Sequence, residues 1–147
     1  MNLKKCLTML LIAILAIACK KENEEPENFA KIIEGSYNGS VVMSVSGNEM
    51  STSDATVKLI ALSDGSISVI LPKAGEGAMS LPELTVNNVS VTSSDNSTYV
   101  LNETSINQDI YTGTLSGSVK DGQIEILYAI KPGAMPMSID FKFTGSK

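Results

Sequence analysis

Two thiols, four phenols and scattered carboxylates are the reactive side chains of this 147-residue chain, and no imidazole stands among them. Ser-His and Cys-His nucleophilic systems need an imidazole base, and zinc sites are built mostly from His and Cys. Neither can be assembled here, so no catalytic residue and no metal ligand is assigned. The carboxylates mark no acid-base site either. A glycosidase needs two of them flanking a cleft at about 5 to 9 Å, whereas Asp64 and Asp121 belong to turns, Asp95 to a polar loop, and Glu125 and Asp140 alternate with apolar residues.

Cys19 is the residue whose surroundings single it out. It directly follows the apolar run Leu7 to Ala18, itself preceded by Lys4 and Lys5. A basic start, an apolar stretch and small residues before the cut are the parts of an export signal. The run is too short for a bilayer span, which takes about 20 apolar residues. Ala16-Ile17-Ala18 also fits ordinary secretory cleavage, which would leave the thiol unmodified. The segment Leu15-Ala16-Ile17-Ala18-Cys19 resembles the lipobox of bacterial lipoproteins, with Ala16 where Leu is usual. That resemblance implies an acylated Cys19 at the new N-terminus, and several acyl chains on one residue give stable anchoring where a single chain is marginal.

Residues 1-18 are thus expected to be a signal peptide and residues 19-33 a lipidated, disordered acidic tether. Lys20 to Asn28 is charged and interrupted by Pro26, and such a segment buries too little apolar surface to offset its ordering entropy. Its acidic cluster resembles the signal that sends some Gram-negative lipoproteins to the outer face of the outer membrane; the alternative is the periplasmic face. Cleavage leaves 9 Lys against 16 Asp and Glu, a net charge of −7, with no Arg in the chain. Without guanidinium groups or a basic stripe, nucleic-acid binding is excluded as a working reading.

The elements that must position any site are strands. From Gly35 onward apolar residues recur at every second position in short runs bounded by turn residues, which is the signature of strands with one buried face. The runs centre on Tyr37 to Val45, Ala55 to Ala61, Ile67 to Leu71, Leu84 to Val91, Tyr99 to Leu101, Tyr111 to Val119, Ile124 to Ile130 and Met137 to Phe143. Asp64-Gly65 and Asp121-Gly122 read as tight turns, the alternation slips at Asn87-Asn88 as at a bulge, and Asn102 to Asp109 reads as a polar loop. No segment after the signal carries a helical period. The fold expected for 34-147 is all-β: an eight-stranded antiparallel up-and-down barrel, favoured over a sandwich because closure removes exposed edges.

These residues resemble the calycin-like lipoproteins of Gram-negative bacteria, small lipocalin- or streptavidin-like barrels. The resemblance rests on Gly35-Ser36-Tyr37-Asn38-Gly39, on Leu81-Pro82-Glu83-Leu84 leading into Val86-Asn87-Asn88-Val89, and on Met135-Pro136-Met137 with Phe141-Lys142-Phe143-Thr144-Gly145. Calycins commonly open with Gly-x-Trp, the Trp plugging the barrel base beside a basic residue of the last strand. Tyr37 stands at that position here and no Arg exists, so the resemblance implies an altered plug. It supplies no catalytic residue and no cofactor.

Six residues are candidates for ligand binding. Tyr37, Tyr99, Tyr111 and Tyr128 all fall in phase with the apolar residues of their strands, where they could wall a cavity with hydroxyls to orient a ligand or simply pack the core. Met79 and Met135 lie in two loops that share Gly-Ala-Met between a lysine and a proline. They could form an apolar lip or cap the core beneath it. The leading expectation is a non-enzymatic barrel holding a small apolar or glycan-like ligand. The alternative is an interaction module whose rim loops dock an envelope protein partner while the interior is packed, with an enzyme third.

Overall fold

A computed structural model describes residues 27–147. Cys19, the signal segment and most of the expected tether lie outside the described residues. The first element is a short helix, α1 (Phe29–Ile33), which overturns the expectation that the tether runs disordered to residue 33. Five residues are too few for a helical period to register in sequence, and what holds them is tertiary: Ala30 and Ile33 are fully buried. The domain therefore starts at about Phe29.

One antiparallel sheet follows, made of β1 (Gly35–Val45), β2 (Asn48–Ala61), β3 (Ile67–Leu71), β4 (Leu84–Val89), β5 (Val91–Ser93), β6 (Thr98–Gln108), β7 (Tyr111–Lys120), β8 (Gln123–Pro132) and β9 (Ile139–Ser146). Its order is β4-β3-β2-β1-β9-β8-β7-β6-β5. The two outermost strands are contiguous in the chain, so the sheet returns on itself as a nearly closed barrel. Each hairpin winds the sheet one strand further, and β9 pairs with both β1 and β8 to join its two halves.

Nine strands replace the eight expected because the fourth run is bent in two. Asn88 takes a left-handed φ of 59°, the β3–β4 register shifts between Ile67 and Val69, and the chain leaves β3 to pair Val91 with Leu101 on β6. The slip read at Asn87-Asn88 is that bend. The polar segment from Asn102, by contrast, is strand and not loop. β6 carries a bulge between Leu101 and Thr104, which puts Leu101 and Ile106, an odd number of residues apart, both on the inner face. A search for strict alternation cannot see past such a phase change.

Glycines sit where the wall curls. Gly39 lies opposite Gly145, and a Cβ on Gly39 would run into the Thr144 carbonyl; one on Gly113 would run into the carbonyl of Ala129. Asp121 and Gly122 have φ of 51° and 75°, as a two-residue hairpin with the strands' own twist requires.

The interior is filled. Val41, Met43, Val57, Leu59, Val69, Val86, Leu101, Leu115, Ile126, Tyr128, Ile130, Phe141 and Phe143 are all buried in one continuous apolar cluster. Both ends are covered. At the base, α1 lies across the opening and Ile33 accepts a 2.7 Å hydrogen bond from the Tyr37 hydroxyl. At the mouth, the segment between β3 and β4 folds inward: Ala74 and Leu81 exchange backbone hydrogen bonds of 3.2 and 2.7 Å, and both are buried.

Candidate functional site

The six candidate residues do not line one chamber. Strand direction sorts them to opposite ends, because β1 leaves the base at Gly35 and β7 leaves the mouth at Tyr111. Tyr37 is the base plug, 1% exposed, and the ammonium of Lys147 stands 5.6 Å from its ring centroid. The altered plug implied by the sequence is thus built from a tyrosine and a lysine following the last strand. Burial raises the Tyr37 pKa above its ordinary value. Tyr99, also near the base, packs its ring 5.8 Å from that of Phe29 and donates its hydroxyl to the Asn96 carbonyl at 3.0 Å.

Tyr128 lies inside the wall, stacked on Phe141 with 4.8 Å between centroids and 8° between planes. Its hydroxyl is buried with no hydrogen-bond partner among the described residues, and burial pushes its pKa well up. Tyr111 is half-buried against the core at the mouth. Met79, in a 3-10 turn (Gly77–Met79), also packs against the core, so the loop that carries it is a lid over the mouth and not a lip around an opening. Met135 is half-buried in the loop between β8 and β9. In this arrangement Tyr37 and Tyr128 are core residues, and the expected tyrosine-walled cavity is not what the structure builds.

What the sequence reading missed lies at the mouth. Met50, Ile110 and Met137 are 55%, 61% and 45% exposed; Ile110 and Met137 lie in the β6–β7 and β8–β9 connections, and Met50 lies at the start of β2, just past the β1–β2 turn. These connections are neighbours around the barrel, since β2, β1, β9, β8, β7 and β6 follow one another in the sheet. Ile110 and the 133–138 loop are tied directly, with the Gly133 N–H donating to the Ile110 carbonyl at 2.7 Å. Together with half-buried Met135 they give the mouth an adaptable apolar rim. The signal in the sequence was a large apolar residue inside a turn, Asp109-Ile110-Tyr111, where no inward direction exists.

The charged groups organise loops. Asp95 accepts from the N–H groups of Thr98 (2.8 Å) and Ser97 (3.0 Å), which hold its carboxyl far below the usual carboxylate range. Asp64 is lowered by the Ser66 hydroxyl at 2.6 Å and then by the Ser66 N–H. Among the described residues no group of three His, Cys, Asp or Glu is placed to hold a metal ion.

A single antiparallel sheet wound nearly closed, stoppered at its base by a helix and an aromatic–cation pair, defines a calyx-type barrel. The family model of the calycin-like beta-barrel domain matches residues 33–146, and the chain belongs to that family. The fold is also similar to the crystal structure of a candidate outer membrane protein from Bacteroides fragilis, at 32% sequence identity and a TM-score of 0.73. That similarity covers 84% of this chain, which spans about half, 54%, of the other protein. No curated protein matches the sequence.

Proposed function

We propose that this protein is a cell-envelope lipoprotein whose barrel is a non-catalytic docking module, anchored through acylated Cys19 and presenting its mouth to a protein partner. The observation that carries this reading is the combination of a filled, doubly covered interior with Met50, Ile110 and Met137 exposed side by side around the mouth, whereas Ile32, Ile60, Val100 and Leu127 are exposed elsewhere on the barrel. A barrel that holds a ligand needs empty volume inside, with typical pockets of about 300 to 1,000 Å³. Five concavities among the described residues lie on the outer wall, beside α1 and at a strand seam. Exposed methionine is a side chain suited to irregular partner surfaces.

Geometry gives the anchor a consequence. α1 enters the barrel at its base, and every rim residue lies at the opposite end. Eleven residues of β1 at about 3.3 Å each, tilted by about 40°, set the rim roughly 25 Å from the base. A lipid on Cys19 would therefore point the docking end away from its membrane. The likeness to a candidate outer membrane protein supports an envelope location, and the acidic tether supports display at the cell surface.

The test is native mass spectrometry of the protein released from its own envelope, compared with an Ile110→Asp, Met137→Asp double variant. A retained protein mass that the double variant loses supports docking. A retained small-molecule mass overturns it in favour of the second reading, a small apolar or glycan-like ligand, which the unpartnered Tyr128 hydroxyl favours.

A further inference from the structure

The barrel wall has one place where neighbouring strands are not laddered. β4 and β6 face each other across it, yet among the described residues β4 pairs only with β3, and β6 only with β5 and β7. The two strands are pinned at one end, where the Asn102 N–H donates to the Ser90 carbonyl at 3.0 Å and the Asn102 amide to the Ser90 hydroxyl at 2.9 Å. From there they splay toward the mouth. The bend at Asn88 and the β6 bulge after Leu101 turn the two edges apart. A slit of ≈ 220 Å³ opens between them, lined by Thr85, Val86, Asn87, Ser105, Asn107 and Gln108 with Ile106 behind. The one group that spans it is a side chain: the Gln108 carboxamide oxygen accepts from the Thr85 backbone N–H at 3.1 Å.

We propose that this slit is a strand-addition site that takes an extended, uncharged peptide segment. The Thr85 N–H points into the slit, as its bond to Gln108 shows, and because main-chain groups alternate sides along a strand, those of Asn87, two residues on, fall on the same side. An edge of this kind is the template on which an added strand forms its ladder, with affinity coming from main-chain hydrogen bonds. Gln108 is a stand-in for that strand, because its carboxamide offers the acceptor that a peptide carbonyl would offer. The lining chooses the class of ligand. It holds no charged side chain, which leaves nothing to pair an ionic ligand, and no aromatic ring on which a sugar could stack. It does hold three carboxamides and two hydroxyls, the kinds of group that meet a peptide group, with the Asn87 oxygen already accepting from the Ser68 hydroxyl at 2.7 Å and its N–H groups left to donate. The slit's mouth end, at Gln108, is two residues from the rim residue Ile110, whereas Met137 lies on the β8–β9 connection, away from the lining.

The probe is a capped hexapeptide of alternating threonine and valine, titrated into the full-length protein in detergent micelles and read by backbone amide NMR. Shifts are expected at Thr85, Asn87, Asn107 and Gln108. Methylating alternate peptide nitrogens should weaken binding about tenfold, since it removes one or two main-chain hydrogen bonds. Gln108→Ala, which vacates the position the peptide must take, should tighten binding severalfold, with melting confirming that the variant is folded. Met137→Asp should leave peptide binding unchanged, which separates failure here from failure of rim docking. Absence of shifts at the slit, equal binding of the methylated peptide, or slit shifts produced by maltohexaose and not by the peptide would each overturn the proposal.

Discussion

The Lys147 ammonium stands over the face of the Tyr37 ring, 5.6 Å from its centroid, while the hydroxyl of the same ring donates to the Ile33 carbonyl at 2.7 Å. One side chain thus ties the last residue of the chain, the first strand and the base helix together. Removing the hydroxyl alone leaves a buried carbonyl at the end of α1 without its donor. Tyr37→Phe is therefore expected to lower unfolding free energy by about 1 to 2 kcal/mol in urea titration, and Lys147→Ala by about 0.5 to 1 kcal/mol. A larger loss from Lys147→Ala than from Tyr37→Phe would mean that the cation, not the hydroxyl, holds the base.

The other buried phenol behaves oppositely. The Tyr128 hydroxyl has no partner in the core, so it is desolvated without return, while its ring keeps the stack on Phe141. Tyr128→Phe should raise unfolding free energy or leave it unchanged, with a gain of up to about 1 kcal/mol. Destabilisation on that change would show that the hydroxyl has found a partner inside the barrel, and it would move the functional reading back toward an interior ligand.

Both phenols make stability depend on alkaline pH. Burial raises each pKa above its ordinary value of 10.0, so the folded protein keeps protons that the unfolded chain gives up. The stability they contribute is fully present below about pH 10 and is lost as pH rises from there through the folded values. Melting temperature should hold steady to near pH 9.5 and then fall. The fall should be shallower in Tyr128→Phe, and an unchanged alkaline limb in that variant would sink the assignment.

Gly39 and Gly113 test whether the barrel's curvature is written in missing side chains. A methyl on either would meet the carbonyl of a neighbouring strand, Thr144 or Ala129, and backbone cannot swing aside as a flexible side chain can. Gly39→Ala and Gly113→Ala should each cost about 3 kcal/mol, at the top of the range for overpacking, as measured by thermal denaturation. Gly47→Ala provides the contrast: nothing lies near its Cβ position, so only the cost of its φ of 81° is incurred.

The barrel was legible because its inner face is regular. From Tyr37 to Phe143 the apolar residues alternate, and an antiparallel sheet has little choice but to bury that face. What escaped has local causes. α1 is a single turn held by Ala30 and Ile33 against the barrel, a tertiary fact with no periodic trace. The upper half of β6 escaped because its bulge exchanges inside for outside. The site was harder still. Inward phase says that Tyr37, Tyr111 and Tyr128 point to the axis, but volume decides whether an axis is hollow. That depends on how the apolar side chains of the nine strands interdigitate, and on a lid and plug that bring in Leu81 and Ile33 from outside the alternation.

Asn88 is where register, closure and the slit meet. Its φ of 59° turns β4 away from β3 and into β5, which gives the bent strand neighbours on both sides and leaves the splayed seam against β6. Asn visits the left-handed region at modest cost, whereas a β-branched residue there is strained by about 1 to 2 kcal/mol. Asn88→Gly should keep the fold and stability nearly intact. Asn88→Val should destabilise by about that amount, and the strain is relieved only if the chain straightens. Straightening would carry Val91 away from Leu101 and break the Asn102–Ser90 pin, so amide exchange in Asn88→Val should accelerate first at Asn102 and Leu101. Acceleration spread evenly over the barrel would mean that the bend is a passive consequence of closure and not its cause.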